Sequence, residues 1–420
     1  MSKWQEVYLN EAFDIGSGVS KPAEDFGSGF PFLSFKEIFN NFFVPEELPE
    51  LVESSEEERD KCSVKRGDVF LTRTSETVKE LGMSCVALKD YENATFNGFT
   101  KRLRPNGNFE IVPEYAGYYF RSSKFRNEVT ALSSASTRAS LNNEMLGRLK
   151  IILPSRIEQE DIAAVLICLD RKTENLRRQN ETLEAIAQTL FKRWFVDFEF
   201  PNEDGKPYNS SGGAMKCSES GGIPVSWRVG KLGDFCTIFR GSSPRPITSP
   251  VFFENGTIPW IKIADATKSS SLYLSETKEF CTEAALPYTR LLKKGSLILS
   301  NSATVGIPMI LNLDGCIHDG WLSFKEYKII TRNFLFFVLV NKLKFLTQYA
   351  DGTVQKNLNT GILKNMDFLV PTEQLIKEFT VIAQSIFDKI LVNEQQIQTL
   401  IKTRDVLLPQ LMSGKLRITE

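Results

Sequence analysis

A long apolar stripe from residue 162 to residue 194 constrains the fold of this 420-residue chain more than any other feature. Its apolar residues recur at alternating steps of four and three, the pattern of a helix that packs along one long partner helix. The same register returns from residue 379 to residue 411, so each helix has a natural partner within the chain. The predicted pairing seam consists of Ile162, Leu166, Leu169, Leu176, Asn180, Leu183 and Leu190 in the first helix and Phe379, Ile386, Ile390, Asn393, Ile397, Leu400 and Leu407 in the second.

A single apolar stripe of this kind is usually the core face of an ordinary globular helix. Two stripes in one register, each longer than the roughly 20 residues of most globular helices, favour a coiled coil instead. The two helices must then run antiparallel, because the chain between them passes through a whole domain before it returns. Asn180 and Asn393 occupy seam positions, where a polar residue commonly fixes the register; the alternative is that the pairing is loose at this layer.

The two halves of the chain repeat the same anchors in the same order. Residues 64–75, VKRGDVFLTRTS, match residues 292–303, LKKGSLILSNSA, and FNGF at 96–99 matches HDGW at 318–321. Residues 137–146, TRASLNNEML, match residues 354–363, VQKNLNTGIL. The sequence therefore predicts an α+β fold in which a β-rich domain followed by a long helix occurs twice, with approximate two-fold symmetry.

Composition and turn residues predict the domain boundaries. Short apolar strands separated by Gly, Asn and Pro turns indicate β-rich domains at residues 1–153 and 227–370. A long spacer helix is expected at 154–200, and a second one with the C-terminal tail at 371–420. Residues 201–226 are polar and rich in Gly and Ser, which is typical of a linker. A helix is also expected over residues 113–131, where aromatic residues fall near one face.

Charge, cysteine usage and missing motifs argue against several classes of protein. The net charge of −1 disfavours binding of nucleic acid through bulk charge alone, and the seven cysteines lack C-x-x-C spacing. With no signal peptide and no apolar run of membrane length, these features predict a cytoplasmic protein with reduced thiols and no membrane partner. The sequence has no P-loop, no G-x-G-x-x-G and no Pro-Pro dipeptide, and His318 is its only histidine. We therefore expect no catalysis, no cofactor and no metal site.

Four stretches of sequence carry a resemblance to a known family. They are RRQNETLEAIAQTLFKRWFVDF at 177–198, GKPYNSSGGAM at 205–215, IPVSW at 223–227 and DVLLPQLMSGKLRI at 405–418. With the repeated anchors, they make the chain similar over its whole length to the specificity subunits of Type I restriction–modification systems. The resemblance implies that each β-rich domain is a target-recognition domain that reads one half of a bipartite sequence in double-stranded DNA. It implies that the helices set the spacing and dock two modification (methyltransferase) subunits, and that two restriction (translocase–nuclease) subunits join the complex.

Three alternatives remain open at this stage. The chain could be a specificity subunit of a related, Type IIB-like restriction system, or a coiled-coil scaffold that binds only protein. It could also be a DNA methyltransferase or nuclease in its own right, although the missing cofactor motifs count against this.

Three families of polar loops, each present in both halves, are the candidates for DNA contact. The first follows the opening strand (16–22 and 240–246), the second follows the K-x-G strand (72–77 and 300–306), and the third precedes the long helix (134–141 and 351–358). Their Lys, Arg, Ser, Thr and Asn side chains suit phosphates or base edges, although such residues also make ordinary solvated turns. The candidate residues are Ser20, Lys21, Arg73, Thr74, Ser75, Asn97, Thr137 and Arg138 in the first domain and Arg240, Ser242, Ser243, Arg245, Asn301, Ser302, Thr304, Thr353, Gln355 and Lys356 in the second.

Overall fold

Each predicted long helix is one uninterrupted helix of 40 residues in the computed structural model, Arg156–Phe195 and Glu373–Met412. Both begin directly after a hydroxyl residue. The hydroxyls of Ser155 and Thr372 accept hydrogen bonds from the backbone N–H three residues further on, at 3.3 and 3.4 Å. These N-caps occupy equivalent places in the two halves and satisfy donors that a first helical turn leaves unpaired.

The structure describes residues 4–74, 80–133, 140–218, 221–267, 271–342 and 358–418. The chain divides into two compact units, called unit 1 (residues 1–174 and 397–420) and unit 2 (residues 175–396). Each unit contains one β-rich domain and a part of each long helix. The predicted α+β class with two long paired helices is confirmed.

The long helices pair antiparallel within unit 2. The Asn393 side-chain amide donates to Asn180 Oδ1 at 2.8 Å. Further along, the ring of Phe191 contacts the ring of Phe379, with centroids 5.7 Å apart. Residue numbers therefore rise along the first helix where they fall along the second, which is the antiparallel direction that the sequence predicts.

Within unit 1 the pairing continues around a charged residue. Arg404 interrupts the apolar register of the second helix, and its Nη1 lies 2.8 Å from Asp170 Oδ1 on the first. The Tyr118 hydroxyl donates to the other carboxylate oxygen of Asp170 at 2.6 Å. The charge is thus paired with an opposite charge and held by hydrogen bonds, which is what a partly buried ion needs in order to be tolerated.

All of the predicted seam residues are withdrawn from solvent to some degree. The buried ones are Ile162, Leu166, Leu176, Asn180, Phe379, Ile390, Asn393 and Ile397. The half-buried ones are Leu169, Leu183, Leu190, Ile386, Leu400 and Leu407.

The β-rich domain of unit 1 contains three sheets. An antiparallel sheet has the strand order Phe13–Ser17, Thr100–Pro105, Val69–Thr72 and Ser84–Val86. A mixed sheet has the order Glu50–Val52, Phe26–Leu33 and Thr95–Phe96, and Gln5–Tyr8 pairs with Lys150–Leu153. The shorter described helices are Leu9–Ala12, Phe35–Asn40, Glu56–Lys61, Pro113–Tyr119, Ser123–Ser133 and Asn143–Arg148, with a 3-10 turn at Ala23–Asp25.

The domain of unit 2 follows the same plan. Its larger sheet has the order Thr237–Arg240, Trp321–Lys325, Leu297–Ser300, Pro308–Leu311 and Tyr273–Leu274, and its second sheet has the order Glu279–Cys281, Ile258–Ile261, Gly315–Ile317 and Arg290–Leu292. Arg228–Lys231 pairs with Asp367–Val370, and Met215–Ser218 pairs with Gly221–Pro224. The shorter described helices are Leu232–Phe235, Pro250–Phe253, Ile263–Ala266, Arg332–Asn341 and Thr360–Lys364, with a 3-10 turn at Glu283–Tyr288.

Equivalent details in the two domains support the duplication. In each, the strand that opens the domain pairs antiparallel with the strand that closes it before the long helix. Asn142 and Asn359, which the two sequence anchors align, both cap the short helix before the closing strand and accept from a backbone N–H at 2.8 and 2.9 Å. The two halves therefore share their local chemistry as well as their strand order.

One segment differs from what the sequence predicts. Residues 113–131 lie in two helices, Pro113–Tyr119 and Ser123–Ser133. Between them, the Arg121 guanidinium donates to the backbone carbonyls of Ile38, Phe39 and Asn41 at 2.8–2.9 Å. Between residues 201 and 226, where composition predicts a linker, most described residues are exposed. There the ring of Tyr208 stacks on Phe200, with centroids 4.6 Å apart.

Candidate nucleic-acid interface

In unit 1 the turn at residues 96–99 holds the three candidate loops together through the backbone. Val19 N–H, in the first loop, donates to Phe96 O at 2.9 Å. Arg73 N–H, in the second loop, donates to Phe99 O at 3.0 Å, and Leu141 N–H, at the end of the third, donates to Arg73 O at 2.8 Å. A Cβ at Gly98 would lie 2.8 Å from the backbone carbonyl oxygen of Val19 and 2.2 Å from the Ser20 hydroxyl oxygen, so a larger residue would force the backbone of the turn to shift.

Unit 2 repeats this arrangement with different residues. Gly241 N–H donates to Trp321 O at 2.8 Å, and Asn301 N–H donates to Gly320 O at 2.8 Å. Leu358 N–H donates to Asn301 O at 3.0 Å, the direct equivalent of the bond between Leu141 and Arg73. The described residues of the loops that the sequence singles out, which include only the end of the third loop, are therefore neighbours in each unit.

The described candidates of unit 1 differ in how far they are exposed to solvent. Ser20 is exposed, while Arg73, Thr74 and Asn97 are half-buried. Asn97 Oδ1 accepts from Phe99 N–H at 2.8 Å and so stabilises the turn itself. Ser75, Thr137 and Arg138 lie outside the described residues.

Lys21 forms ion pairs with two carboxylates. Its ammonium lies 2.9 Å from the Glu58 carboxylate and 3.9 Å from that of Asp25. The hydrogen bond to Glu58 raises the pKa of Lys21 and lowers the pKa of Glu58. A phosphate contact by Lys21 would therefore have to compete with these carboxylates.

In unit 2 the side chains of the first loop converge on Asp319, which sequence reasoning missed. The Ser243 hydroxyl donates to Asp319 Oδ1 at 2.8 Å, Arg245 lies 3.3 Å from Oδ2, and Arg240 Nε donates to the Asp319 carbonyl at 2.8 Å. Partial burial would raise the pKa of Asp319, but the Ser243 hydroxyl and the other donors and positive charge around it outweigh this and lower it. Asp319 aligns with Asn97 in the repeated turn, and that alignment is the signal that could have identified it.

The remaining unit 2 candidates differ in accessibility. Asn301 is only 1% exposed and its amide donates to the Asp319 carbonyl at 3.2 Å, so in this structure it positions the turn and is not displayed on the surface. Ser242 is exposed but donates to Tyr288 O at 2.9 Å. Ser302 is half-buried and Thr304 is exposed. The described part of the chain does not include Thr353, Gln355 and Lys356.

His318, the single histidine, also supports this turn. Its Nε2 accepts from Ile263 N–H at 3.2 Å, and burial lowers the pKa of the ring. The imidazole is therefore neutral at pH 7 and serves as a hydrogen-bonding anchor.

The described ranges contain neither a metal-binding cluster of side chains nor a helix able to span a membrane. No group of three or more His, Cys, Asp or Glu side chains there is arranged to hold a metal ion. Within the same ranges, none of the helices combines the length and the apolar character needed to cross a membrane.

The chain thus contains two β-rich domains with matching loops. A long helix follows each domain, and the two helices pair with each other. The family profile described as "Type I restriction modification DNA specificity domain" matches residues 1–185 and again residues 224–403. The chain belongs to this family, with one copy of the domain in each half.

Individual relatives resemble the chain over nearly its whole length. The "Type I restriction enzyme MjaIX specificity subunit" of Methanocaldococcus jannaschii is 30% identical, over 99% of this chain and 94% of its own. The "Type I restriction enzyme HindI specificity subunit" of Haemophilus influenzae is 24% identical, over 99% of this chain and 100% of its own. The crystal structure of a Type I restriction–modification S subunit from M. genitalium shares the fold, with a TM-score of 0.57, 15% identity and coverage of 97% and 96%.

Proposed function

We propose that this chain is the DNA specificity subunit of a Type I restriction–modification complex, in which each β-rich domain reads one half of a bipartite target in double-stranded DNA. The observation that carries the proposal is the repeated junction of three loops at one turn. Arg73 and Asn301 hold the same backbone bond to the third loop in the two units, yet their side chains are different. One frame with two sets of side chains is suited to two different half-sites.

The recognition surface is preorganised by its backbone. Main-chain hydrogen bonds fix the loops, so exposed side chains such as Ser20, Arg240 and Thr304 are presented from a rigid base. The net charge of −1 leaves little general attraction for DNA. We therefore expect tight, specific binding only when partner subunits supply additional contacts to the phosphates.

The paired helices serve as spacer and docking surface in this proposal. The buried Asn180–Asn393 pair fixes their register, and the register sets the gap between the half-sites. Large aliphatic side chains remain exposed on the helices: Ile186 is 51%, Val381 72% and Val406 59% exposed. Such side chains favour a protein partner, and two methyltransferase subunits are the partners that the resemblance implies.

In the complete complex this chain would be non-catalytic and would need no cofactor of its own. The two methyltransferase subunits and two restriction subunits would carry out the chemistry, in the cytoplasm where the DNA is. A protein-only scaffold and a Type IIB-like system are the rival functions, and the following experiment separates the scaffold from the two functions that read DNA.

An exchange of domains tests the proposal. Residues 1–153 are replaced by the corresponding domain of a relative, and modified bases are mapped in cells that express the complete system. We expect one half-site to change while the other half-site and the gap stay the same. A matched Arg138→Ala, Arg245→Ala, Lys356→Ala variant should lose methylation while it still assembles with its partners. Unchanged methylation in both variants would favour the scaffold.

A further inference from the structure

A groove lies beside the unit 1 turn. It has a volume of about 640 Å³ and lies next to the candidate loops, since Thr74 of the second loop and Phe99 of the turn both line it. The other lining residues are Phe35, Lys36, Phe39, Asn40 and Glu80. Three of the seven lining residues are phenylalanines and the other four carry polar groups, and we call this site the aromatic groove.

Phe99 forms one wall and is unusually exposed for a phenylalanine. Its side chain is 60% exposed, whereas Trp321, at the equivalent position of the unit 2 turn, is fully buried. The backbone beneath Phe99 is fixed at both ends, because its N–H donates to Asn97 Oδ1 and its carbonyl accepts from Arg73. An apolar ring is thus held in solvent on a rigid turn, which suggests that a ligand covers it.

The other two aromatic residues that line the groove also lie on an element that is held in place. Phe35 and Phe39 lie one helical turn apart with centroids separated by 6.1 Å and ring planes within 20° of parallel. Ile38 anchors their short helix in the core, and Arg121 binds the Phe39 carbonyl at 2.8 Å. The two walls belong to separate elements that are each fixed from below, so the groove is preorganised and need not form on binding.

We propose that the aromatic groove receives one base of the target, unstacked from the duplex, and this inference rests on the proposed function. Flat aromatic walls stack on the face of any base, and the available volume is within the range of sites for small organic ligands. Lys36, Asn40 and Thr74 lie where an extruded nucleotide would need a few polar contacts to its edge and phosphate. The unit 2 turn buries its aromatic residue, so only one half-site is distorted in this way.

The test uses the chain assembled with its methyltransferase subunits and the target sequence obtained by methylation mapping. A series of duplexes is prepared in which each nucleotide in turn loses the base opposite to it, leaving an abasic site. Unpairing is then already complete at that position, so extrusion costs less there. The methyltransferase subunits extrude the bases that they methylate, so those positions are set aside. We expect one further position, in one half-site only, at which wild type binds several-fold tighter than to the intact duplex, while the abasic sites elsewhere weaken binding.

Variants connect this signal to the groove. Phe99→Ala should bind the intact target about 10- to 100-fold more weakly, because it loses a stacking wall, and should lose the gain at the abasic position. Phe99→Trp keeps an aromatic face and should retain the gain. Phe26→Ala removes another exposed phenylalanine of the same unit that does not line the groove, and it should bind like wild type.

Three outcomes would overturn the inference. Abasic sites that weaken wild-type binding at every position other than those opposite the methylated bases would show that the groove receives no base, even if Phe99→Ala also weakens binding through a lost contact to a thymine methyl group. Equal binding by Phe99→Ala and Phe26→Ala would show that the groove is not used. A wild-type complex without any bipartite target would refute the proposed function, and this inference with it, whereas the first two outcomes leave the proposed function intact.

Discussion

The asparagine layer of the helix pair provides the sharpest test of how register is fixed. Asn393 is fully buried, its amide donates to Asn180 Oδ1, and the Asn180 amide donates to Glu394 Oε1, both at 2.8 Å. Asn393 Oδ1 is buried without a hydrogen-bond partner. The perturbation is Asn393→Leu alone, and then Asn180→Leu with Asn393→Leu.

The single variant should be destabilised more than the double variant. The single change leaves Asn180 Oδ1 buried without its donor, which costs about 1–3 kcal/mol of stability. The double change removes both polar groups and fills the layer with apolar side chains, so most of that cost should be recovered. The coupling between the two positions should therefore be about 1–3 kcal/mol in a double-mutant cycle.

Two assays follow this prediction. Unfolding of the helices is measured by circular dichroism at 222 nm, with Ile390→Val as a control for an apolar layer. Methylation mapping then reports the gap between half-sites, which should become mixed in the double variant because the layer that specifies register is gone. A single variant as stable as wild type, or a double variant that keeps one gap, would show that this layer does not fix the register.

Three further predictions concern single residues. Arg404→Ala leaves Asp170 without its ion pair and should lower stability by about 1 kcal/mol, whereas Arg404→Leu, which restores the apolar register, should lower it less; thermal unfolding measures both. Burial raises the pKa of Glu184 to about 7, so the folded state holds this proton more tightly than the unfolded chain does, and stability should fall by roughly 1–3 kcal/mol as pH rises from about 4.5 to 8. Glu184→Gln should remove that part of the slope, and a slope equal to wild type would contradict the assignment. Gly241→Ala places a Cβ 2.1 Å from the His318 carbonyl and should destabilise unit 2 by about 1–3 kcal/mol, with loss of methylation. Gly222→Ala, where a Cβ would meet nothing closer than Met215 Cε at 4.0 Å, is the control and should leave methylation unchanged.

The long helices and the duplication could be predicted because each depends on a pattern that is visible in the sequence without knowledge of the fold. A step pattern of four and three identifies a seam such as Ile162 to Leu190 without knowledge of its partner. The repeated anchors identify equivalent positions by simple alignment. The family that these segments resemble is likewise confirmed by the comparisons.

What could not be predicted depends on contacts between distant parts of the chain. Arg404 interrupts the seam in the sequence, and only the fold reveals Asp170 opposite it. Between the two helices of residues 113–131, Arg121 donates hydrogen bonds to carbonyls about 80 positions earlier in the chain. Composition also cannot show that Tyr208 stacks on Phe200 within a Gly- and Ser-rich stretch.

The sequence predicted which loops form the candidate site but not the role of each side chain in them. The loops do lie together at the turns, yet Lys21 is paired with Glu58 and Asn301 is buried beneath the surface. Asp319, which organises the unit 2 loop, is a common turn residue that gives no sign of this role by itself. Which of these side chains contact bases stays a prediction.

The most direct test of the central claim is to lengthen the helix pair and map methylation. Four residues inserted after Thr173 lengthen the first helix by about 6 Å. They place two steps of four in succession at that point of the seam, which unwinds the pair locally but keeps the seam on one face. We expect the same two half-sites with a gap longer by at most about two base pairs, since base pairs are about 3.4 Å apart. Altered half-sites with an unaltered gap would contradict the claim that the domains read and the helices space.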